Sequence, residues 1–508
     1  MVPYVLGWVL PRFQRIPASA TSLLHSHGRF VLPNKMRACL LIVLVLGAAS
    51  AARFPPDDIL VLNLVPTPPQ ADLLAILVCC GLFNRASSNS SCYTVASSND
   101  IDWLAIVAPS LPSPPPFTPI ADFMRACFTS AAFDATIEFD YTQQQELVPN
   151  VITVAAALSA VPLAASSSFM PPSPRLLFNA TALWPRGTTP LQATQYVYER
   201  WSNTSRSIAM MNPGYDVHGH PLALRPPLTK QPDLSLVDDI VKQEVFNVFL
   251  VDACVPGSDE HVFMQAMATS GPWEQPIAVW GYDDTCPIAG DIFEAETNCV
   301  PAHSMGQVRD CSTASALTRR RHSMFQVASV GAKNLAFFSA SRPVVTPLLQ
   351  PPALPFIYNS SKVYLSIIIG DGDNVGMVKT ARFEWMKQRL QRCLPPASPC
   401  LPLLWTLSPH LAHAAPDVMR WFYAAAAATQ RDFFVLPPSG HLYAYPGHMP
   451  SHLQSAFVAA TEHDARIMNS SSTCAWEFFN TWAAALRDYF PRYNQNAVIK
   501  AAFATNVP

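Results

Sequence analysis

Charged residues are scarce in this 508-residue chain. Lys and Arg number 33, Asp and Glu number 35, and together they make up 13% of the residues, while 50% are hydrophobic. This balance excludes a disordered chain and a coiled coil. The formal net charge of −2 gives no electrostatic reason to expect a nucleic-acid partner. A chain of this length can bury large cores, so we expect two domains or one large elaborated domain.

Long apolar runs and metal-binding cysteine spacings are also missing. No Cys-x-x-Cys pair occurs, so neither a structural zinc site nor a cofactor is expected. The most apolar stretch, residues 36–52, has a basic start, a short apolar core and a small-residue end, which is typical of a cleavable secretory signal. Its apolar core is shorter than the roughly 20 residues that a membrane-spanning helix needs. Because it begins at Met36, residues 1–35 are either an over-called start or part of an uncleaved anchor, and only the anchor implies membrane contact.

Several features present in the chain fit export to a secreted, lumenal or cell-surface location. Five Asn-x-Ser/Thr sequons predict glycosylation, at Asn89, Asn179, Asn203, Asn359 and Asn469. Twelve cysteines favour disulfides in an oxidising compartment. Cys393 with Cys400 and Cys286 with Cys299 are plausible bridges, although the sequence does not fix the pairing.

The first part of the chain, residues 53–235, is predicted to be a smaller α/β domain. Strands are expected at 57–65 and 92–97, and helices at 70–85, 149–164 and 189–202. The 49 prolines are nearly twice the usual share of about 5% and gather at 108–119, 170–175 and 343–355, which predicts loops or stiff connectors.

The second part, residues 236–508, alternates apolar strand-like runs with helical ones. Strands are expected at 245–251, 276–285, 334–340, 363–374, 401–409 and 432–446, and helices at 377–393 and 415–429. This alternation predicts a parallel sheet covered on both faces. The predicted fold class is therefore α/β, with a TIM-barrel-like (β/α) carboxyl-terminal domain that is either complete with weakly marked last strands, open, or cut short.

Acidic residues follow the buried run "YLSIII" directly. We call residues 370–374, "GDGDN", the acidic turn; it carries Asp371, Asp373 and Asn374. Parallel α/β proteins bind ligands at the carboxyl ends of their strands, and (β/α)8 barrels carry out their chemistry there. The same side chains could instead cap a strand end by hydrogen bonding to backbone amides. The cluster as a whole favours a functional site.

A family resemblance is carried by several short stretches. The segment "PPSGHLYAYPG", residues 437–447, resembles the signature of the GxGYxYP putative glycoside hydrolase family, with Leu442 in place of the second glycine. Further similar stretches are "GLFNR" (81–85), "GYDD" (281–284), "NLAFFS" (334–339) and "GDGDN" (370–374). The resemblance implies two domains, a barrel-like second domain, a carbohydrate substrate and glycosidic activity.

Glycoside hydrolysis usually requires two carboxyl groups, one protonated and one ionised. We expect Asp371 or Asp373 to work with a carboxylate from another segment, for which the candidates are Asp283, Asp284, Glu294 and Glu296. Aromatic and polar side chains near strand ends could contact sugar faces and hydroxyl groups. The predicted substrate-binding residues are Tyr282, Asn374, Trp405, Gly440, His441, Tyr443 and Tyr445. Trp476 and Glu477 resemble a weaker site pair.

Three other functions fit part of this pattern. The pattern "IIIGDGDNV" also fits a haloacid-dehalogenase-like phosphatase, but no Gly-Asp pair follows residue 373 as that class requires. A calcium loop is not expected, because Val375 occupies the third ligand position. A non-catalytic carbohydrate-binding glycoprotein would share the low charge, the sequons and the aromatic loop, and this alternative stays open.

Overall fold

The computed structural model describes residues 59–86, 90–129, 133, 135–211, 234–250, 257–274, 277–281, 324–329, 331–352, 357–394, 400–449, 451–477 and 482–504, and the backbone of residues 5–6. Its strands are β1 Val5–Leu6, β2 Ile59–Asn63, β3 Ser91–Val95, β4 Ala135–Glu138, β5 Ala160–Leu163, β6 Arg175–Asn179, β7 Ile208–Met210, β8 Phe246–Asn247, β9 Ile277–Gly281, β10 Met324–Ala328, β11 Ile367–Ile369, β12 Leu403–Thr406, β13 Asp432–Val435, β14 Ser472–Ala475 and β15 Ala501–Ala504.

The helices alternate with these strands through most of the described chain. They are α1 Gln70–Ala86, α2 Ser98–Val107, α3 Ile120–Thr129, α4 Val148–Leu158, α5 Ala180–Leu183, α6 Pro190–Trp201, α7 Val237–Gln243, α8 Asp259–Ser270, α9 Leu335–Phe338, α10 Val375–Met377, α11 Phe383–Arg392, α12 Leu411–Ala414, α13 Pro416–Thr429, α14 Ser451–Ile467 and α15 Trp482–Ala484. Two π-helical turns, Val378–Arg382 and Ala485–Tyr489, are continuous with α10 and α15. Short 3-10 turns lie at Gln145–Leu147, Ser202–Thr204, Pro446–His448 and Phe490–Asn494.

Most strand pairs are parallel. The sheets have the orders β2-β3, β5-β4-β6, β10-β9-β7-β8, β1-β11-β12-β13 and β14-β15, and among these described strands only β1 runs antiparallel to its neighbour. A bridge between Leu436 and Thr473 connects the end of β13 to β14, so β11 to β15 form one nearly continuous parallel surface. The α/β class with parallel sheets is confirmed. No closed barrel forms among the described residues, so the TIM-barrel form of the second domain stays a prediction.

The sheet formed by β11 to β15 has apolar side chains on both faces, as expected for parallel strands covered on both sides. Alternate residues point in opposite directions. Trp405 and Phe434 enter the large core, whereas Leu404 and Val435 join a small second cluster with Ile368, Cys474 and Phe503. The strands therefore present their carboxyl ends between two apolar layers.

Several predicted elements are confirmed within a few residues. The helix predicted at 189–202 is α6, and it begins as expected at Thr189, whose hydroxyl and backbone form a capping box with Gln192. The strand predicted at 401–409 is β12, and the helix predicted at 415–429 is α13. The β7 strand, which precedes residue 235, pairs with β8 and β9, which follow it. The domain boundary at residue 235 stays a prediction.

Three predicted elements were wrong in type or extent. The strand predicted at 432–446 ends at Val435 in β13, and a 3-10 turn begins at Pro446. The strand predicted at 334–340 is the short helix α9, which begins after Asn334 in the left-handed region with a φ of 61°. The single helix predicted at 149–164 is α4 followed directly by β5, because Ser159 adopts a left-handed conformation with a φ of 51° and ends the helix. The segments at 334–340 and 149–164 are mostly apolar, and an apolar run alone does not distinguish helix from strand.

Candidate functional site

The acidic turn is shaped by a close contact between its central glycine and the neighbouring strand. Asp371 lies in the left-handed region with a φ of 56°. The backbone N–H of Gly372 donates to Thr406 Oγ1 at 2.8 Å, and a Cβ at Gly372 would stand 1.6 Å from Thr406 O. Only a glycine fits at this position, because any side chain would collide with the backbone at the end of β12. The turn therefore holds Asp371 and Asp373 at the carboxyl edge of the sheet.

Asn374 ends the acidic turn as a helix cap. Its side-chain Oδ1 accepts from the N–H of Met377 at 3.0 Å, at the beginning of α10. This is the capping role that an asparagine at a helix start usually has. The side-chain oxygen of Asn374 is used by this cap, so the geometry favours a capping role. Substrate contact by Asn374 stays a prediction.

Asp373 is the residue of the turn with the most altered acidity. Burial, together with the neighbouring Asp371, raises the pKa of Asp373 to about 7, although a backbone hydrogen bond and Arg382 oppose the rise. The same carboxyl group contributes to a raised pKa of the buried Cys474 thiol in β14. Asp371 is different, because its side chain is 57% exposed and lies 3.5 Å from the Arg382 guanidinium. One carboxyl group of the pair is thus desolvated and the other is accessible.

Arg382 is a buried residue in contact with Asp371. Its side chain is 2% exposed, and its Nη2 lies 3.5 Å from Asp371 Oδ2. The guanidinium carbon lies 4.7 Å from the centre of the Trp385 ring and 5.9 Å from that of Trp405. Both distances are within the range of cation–π attraction.

The signature loop, residues 437–447, packs against α14. Gly440 has a φ of 117°, and a Cβ there would stand 2.5 Å from Thr461 Cγ2. The Ser439 hydroxyl donates to Ala444 O at 2.7 Å and accepts from the N–H of Trp476 at 3.0 Å, which joins the loop to the end of β14. Gly440 therefore has a structural role, because its positive φ and its lack of a side chain allow the loop to pack closely against Thr461.

His441 is held by a carboxylate. Its Nδ1 lies 2.6 Å from Asp464 Oδ2, and its backbone N–H donates to Thr461 Oγ1 at 3.1 Å. His410 Nε2 lies 2.8 Å from the carbonyl oxygen of His441, and burial, together with His441, lowers the pKa of His410 to about 4. The ring of His441 is half-buried, and in the neutral tautomer that donates from Nδ1 to Asp464 its Nε2 is a hydrogen-bond acceptor.

The aromatic residues of the predicted site differ in exposure. Tyr443 is half-buried and packs against Trp476 with ring centres 5.8 Å apart. Tyr445 and Trp405 are buried, and the Trp405 indole N–H donates to Asp432 Oδ1 at 2.8 Å. Their burial favours packing over sugar contact, whereas Tyr443 and Trp476 can offer part of a ring to a ligand.

Glu477 has no exposed surface. Its Oε1 accepts from the backbone N–H of Gly447 at 2.6 Å, which fixes the end of the signature loop against the residues after β14. Nearby, a cavity of about 500 Å³ is lined by Gly447, Met449, Ser451, Gln454, Arg487, Asp488, Pro491, Arg492 and Gln495. Its lining is mostly polar.

Other predicted site residues lie outside the described residues. They are the second-carboxylate candidates Asp283, Asp284, Glu294 and Glu296, together with Tyr282, Asn89, Cys286 and Cys299. Of the remaining sequons, Asn203, Asn359 and Asn469 are exposed, while Asn179 caps α5 and donates to Glu138 Oε2 at 3.0 Å. Glycosylation at all of these positions stays a prediction.

Cysteine pairing agrees with an oxidising compartment. The described residues contain the disulfides Cys79–Cys127, Cys80–Cys92 and Cys393–Cys400, and the last of these was expected from its spacing. No helix in the described ranges is long and apolar enough to cross a membrane. Within the same ranges, no three His, Cys, Asp or Glu side chains are grouped so that they could hold a metal ion.

Sequence reasoning did not identify Arg382, His410 or Asp464. Arg382 is one of several basic residues on an amphipathic helical stretch, and Asp464 lies more than twenty residues after the histidine that it holds. Only the fold brings these side chains to the strand ends. The acidic turn itself was recognisable, because an Asp-Gly-Asp sequence directly after an apolar run is conspicuous.

Comparisons with known proteins agree with this architecture. Residues 361–507 match the family model of the GxGYxYP putative glycoside hydrolase C-terminal domain, so the resemblance drawn from the short motifs is confirmed for this segment. The chain is also similar in fold to the crystal structure of a putative hydrolase from Bacteroides thetaiotaomicron VPI-5482, with a TM-score of 0.62 and 15% sequence identity, over 88% of this chain and 75% of that one. No curated protein matches the chain.

Proposed function

We propose that this protein is an exported glycoside hydrolase whose reaction is carried by the acidic turn. The observation that carries the proposal is the contrast between two neighbouring carboxyl groups: Asp373 is desolvated with a pKa raised to about 7, and Asp371 is exposed beside a buried arginine. Pairs of carboxyl groups with divergent environments provide the acid and the base of a hydrolytic reaction. The match of residues 361–507 to a glycoside hydrolase family supports glycosidic bonds as the substrate class.

In this mechanism Asp373 is the general acid. Near neutral pH a substantial fraction of the Asp373 carboxyl is protonated, and it donates its proton to the departing glycosidic oxygen. Asp371, whose side chain is exposed and lies 3.5 Å from the Arg382 guanidinium, either activates a water molecule or attacks the anomeric carbon. If these two side chains lie on the same side of the sugar, the ionised partner comes instead from Asp283, Asp284, Glu294 or Glu296.

Sugar recognition is assigned to the signature loop and the end of β14. Tyr443 and Trp476 form a half-buried aromatic pair, which suits stacking on the apolar face of a pyranose. The Nδ1 atom of His441 is hydrogen-bonded to Asp464, and its Nε2 atom accepts a hydrogen bond from a sugar hydroxyl group. Trp405 and Tyr445 support this region from within the core.

The test is a screen of the full chain against a panel of aryl glycosides. Wild type is compared with Asp371→Asn and Asp373→Asn, and Asp122→Asn, an exposed change on α3, serves as the control. We expect turnover of at least one aryl glycoside by the wild type and by Asp122→Asn, with losses of about 100-fold or more in the other two variants. Equal turnover in all four proteins would remove the acidic turn from the mechanism.

A further inference from the structure

Arg382 is an unusual buried residue. Its side chain is 2% exposed, and its Nε, Nη1 and Nη2 atoms are closed to solvent without a hydrogen-bond partner in the described part of the chain. A guanidinium has five N–H donors, and leaving buried donors unpaired destabilises the fold. Burial accordingly lowers the pKa of Arg382, while Asp371 and Asp373 counteract that effect. A purely structural role would be served better by an apolar side chain of similar size.

The segment that carries Arg382 is anchored on its other side. Arg382 is the last residue of the π-helical turn Val378–Arg382, and such turns occur frequently at functional sites. On this turn, Lys379 accepts through its carbonyl oxygen from the Trp103 indole N–H at 2.7 Å, and its Nζ donates to Lys333 O. These contacts fix the turn, so the direction of Arg382 toward Asp371 is fixed as well.

The tryptophan pair limits where the guanidinium can go. Trp385 and Trp405 lie near it at 4.7 and 5.9 Å, and Trp405 is held by its hydrogen bond to Asp432. The nitrogen atoms of Arg382 are closed off, so a bound sugar cannot contact them in this arrangement. Any effect of Arg382 on the reaction must therefore pass through Asp371 and Asp373.

We propose that Arg382 is the positioning residue of the acidic turn, and that its buried positive charge holds the Asp371 carboxylate in place next to Asp373. This inference rests on the proposed function of the two aspartates. Asp371 and Arg382 are the charged groups that act on Asp373 among the described residues, and the buried Cys474 thiol, whose pKa is raised to about 12, is neutral. Removal of the Arg382 charge leaves Asp373 beside Asp371 alone, so Asp373 binds its proton more tightly.

The test measures the protonation of Asp373 without using activity. The full chain is treated with a water-soluble carbodiimide and an amine at pH values from 5 to 9, and labelling of the Asp373 peptide is followed by mass spectrometry. In Arg382→Met we expect labelling of Asp373 at pH 8 to rise by about threefold to tenfold, because a pKa higher by one unit changes the protonated fraction by up to tenfold. Arg382→Lys keeps the charge and should stay close to wild type.

The matched control is Arg85→Met, which removes a partly buried guanidinium whose partners, Glu244, Ser159 and the carbonyl oxygen of Ala156, lie outside the acidic turn and its tryptophan pair. It should leave Asp373 labelling unchanged. If Arg382→Met does not fold, Arg382→Gln removes the charge while keeping a planar polar end. Unchanged labelling in a folded charge-free variant, or an equal change in Arg85→Met, overturns the inference.

The same variants separate this inference from the proposed function. A shift in Asp373 labelling combined with a wild type that hydrolyses no aryl glycoside would support the role of Arg382 and refute the glycosidic assignment. Turnover of an aryl glycoside by the wild type, combined with unchanged Asp373 labelling in Arg382→Met, would support the glycosidic assignment and refute the role of Arg382. In an active enzyme, Arg382→Met should also move the basic limb of the kcat/KM profile to higher pH, and Arg382→Lys should restore it, which a merely structural role would not produce.

Discussion

Gly372 provides a sharp test of how the acidic turn is built. A methyl group added there would stand 1.6 Å from Thr406 O, 2.2 Å from the Thr406 carbonyl carbon and 2.8 Å from Thr406 Oγ1. These atoms belong mostly to the backbone of β12, so they cannot rotate away, and the turn must move by roughly 1.5 Å or more to regain ordinary contact distances. That movement also breaks the 2.8 Å hydrogen bond from Gly372 N–H to Thr406 Oγ1.

The expected cost follows from these two losses. Overpacking costs about 1–3 kcal/mol and the hydrogen bond about 1 kcal/mol, so Gly372→Ala should destabilise the protein by about 2–4 kcal/mol. The matched control is Gly370→Ala in the same turn, where an added Cβ meets nothing within 4 Å and the change should stay within about 0.5 kcal/mol. Thermal melts of both variants measure the difference, and turnover of an aryl glycoside should fall only in Gly372→Ala. Identical melts and turnover in the two variants would refute this account of the turn.

Three further predictions concern protonation and packing. The folded pKa of Asp373 is about 7 against 3.8 in the unfolded chain, so the native state holds the extra proton between these values and stability falls as pH rises through them. Asp373→Asn should therefore be more stable than wild type at pH 8, by on the order of 1–2 kcal/mol in the free energy of unfolding after allowance for partial solvent screening. At pH 4 the two proteins should be equally stable, and a more stable variant at pH 4 would contradict this pH dependence. Asp464→Asn loses a charge-assisted bond to His441 and should cost about 1 kcal/mol in a melt, with a changed His441 ring-nitrogen resonance in 15N NMR; an unchanged resonance would show that the bond is absent in solution. Burial raises the pKa of the Cys474 thiol to about 12, so Cys474 should resist iodoacetamide at pH 8 until the protein is unfolded, and rapid labelling of native protein would show that β14 is open.

The sequence predicted the secondary structure best where local chemistry is explicit. Thr189, followed by Pro190 and Gln192, predicts the start of a helix, and α6 begins at Pro190. The run that ends in Ile369 predicts a strand with acids at its end, and β11 followed by the acidic turn confirms it. The strand predicted at 334–340 was wrong because its apolar residues fit the periodicity of a helix as well as that of a strand. The left-handed conformation of Asn334, after which the helix begins, is stabilised by hydrogen bonds to Thr94, more than two hundred residues away.

The candidate site was only partly visible in the sequence. An Asp-Gly-Asp turn and a tyrosine-rich signature can be recognised as short motifs. The buried charge of Arg382 cannot, because its position depends on the packing of Trp385 and Trp405 around it. Long-range partners of this kind are set by tertiary structure, which a single sequence does not specify locally.

In the proposed mechanism, Asp373 protonates the leaving group and Asp371 is the second carboxylate. The most direct measurement compares kcat/KM on two substrates with the same sugar, one an activated nitrophenyl glycoside and the other an alkyl glycoside. A good leaving group needs little protonation, so Asp373→Asn should lose about 100-fold or more on the alkyl glycoside and far less on the nitrophenyl glycoside, whereas Asp371→Asn should lose heavily on both. Equal losses of Asp373→Asn on the two substrates, or no loss on either, would contradict the assignment.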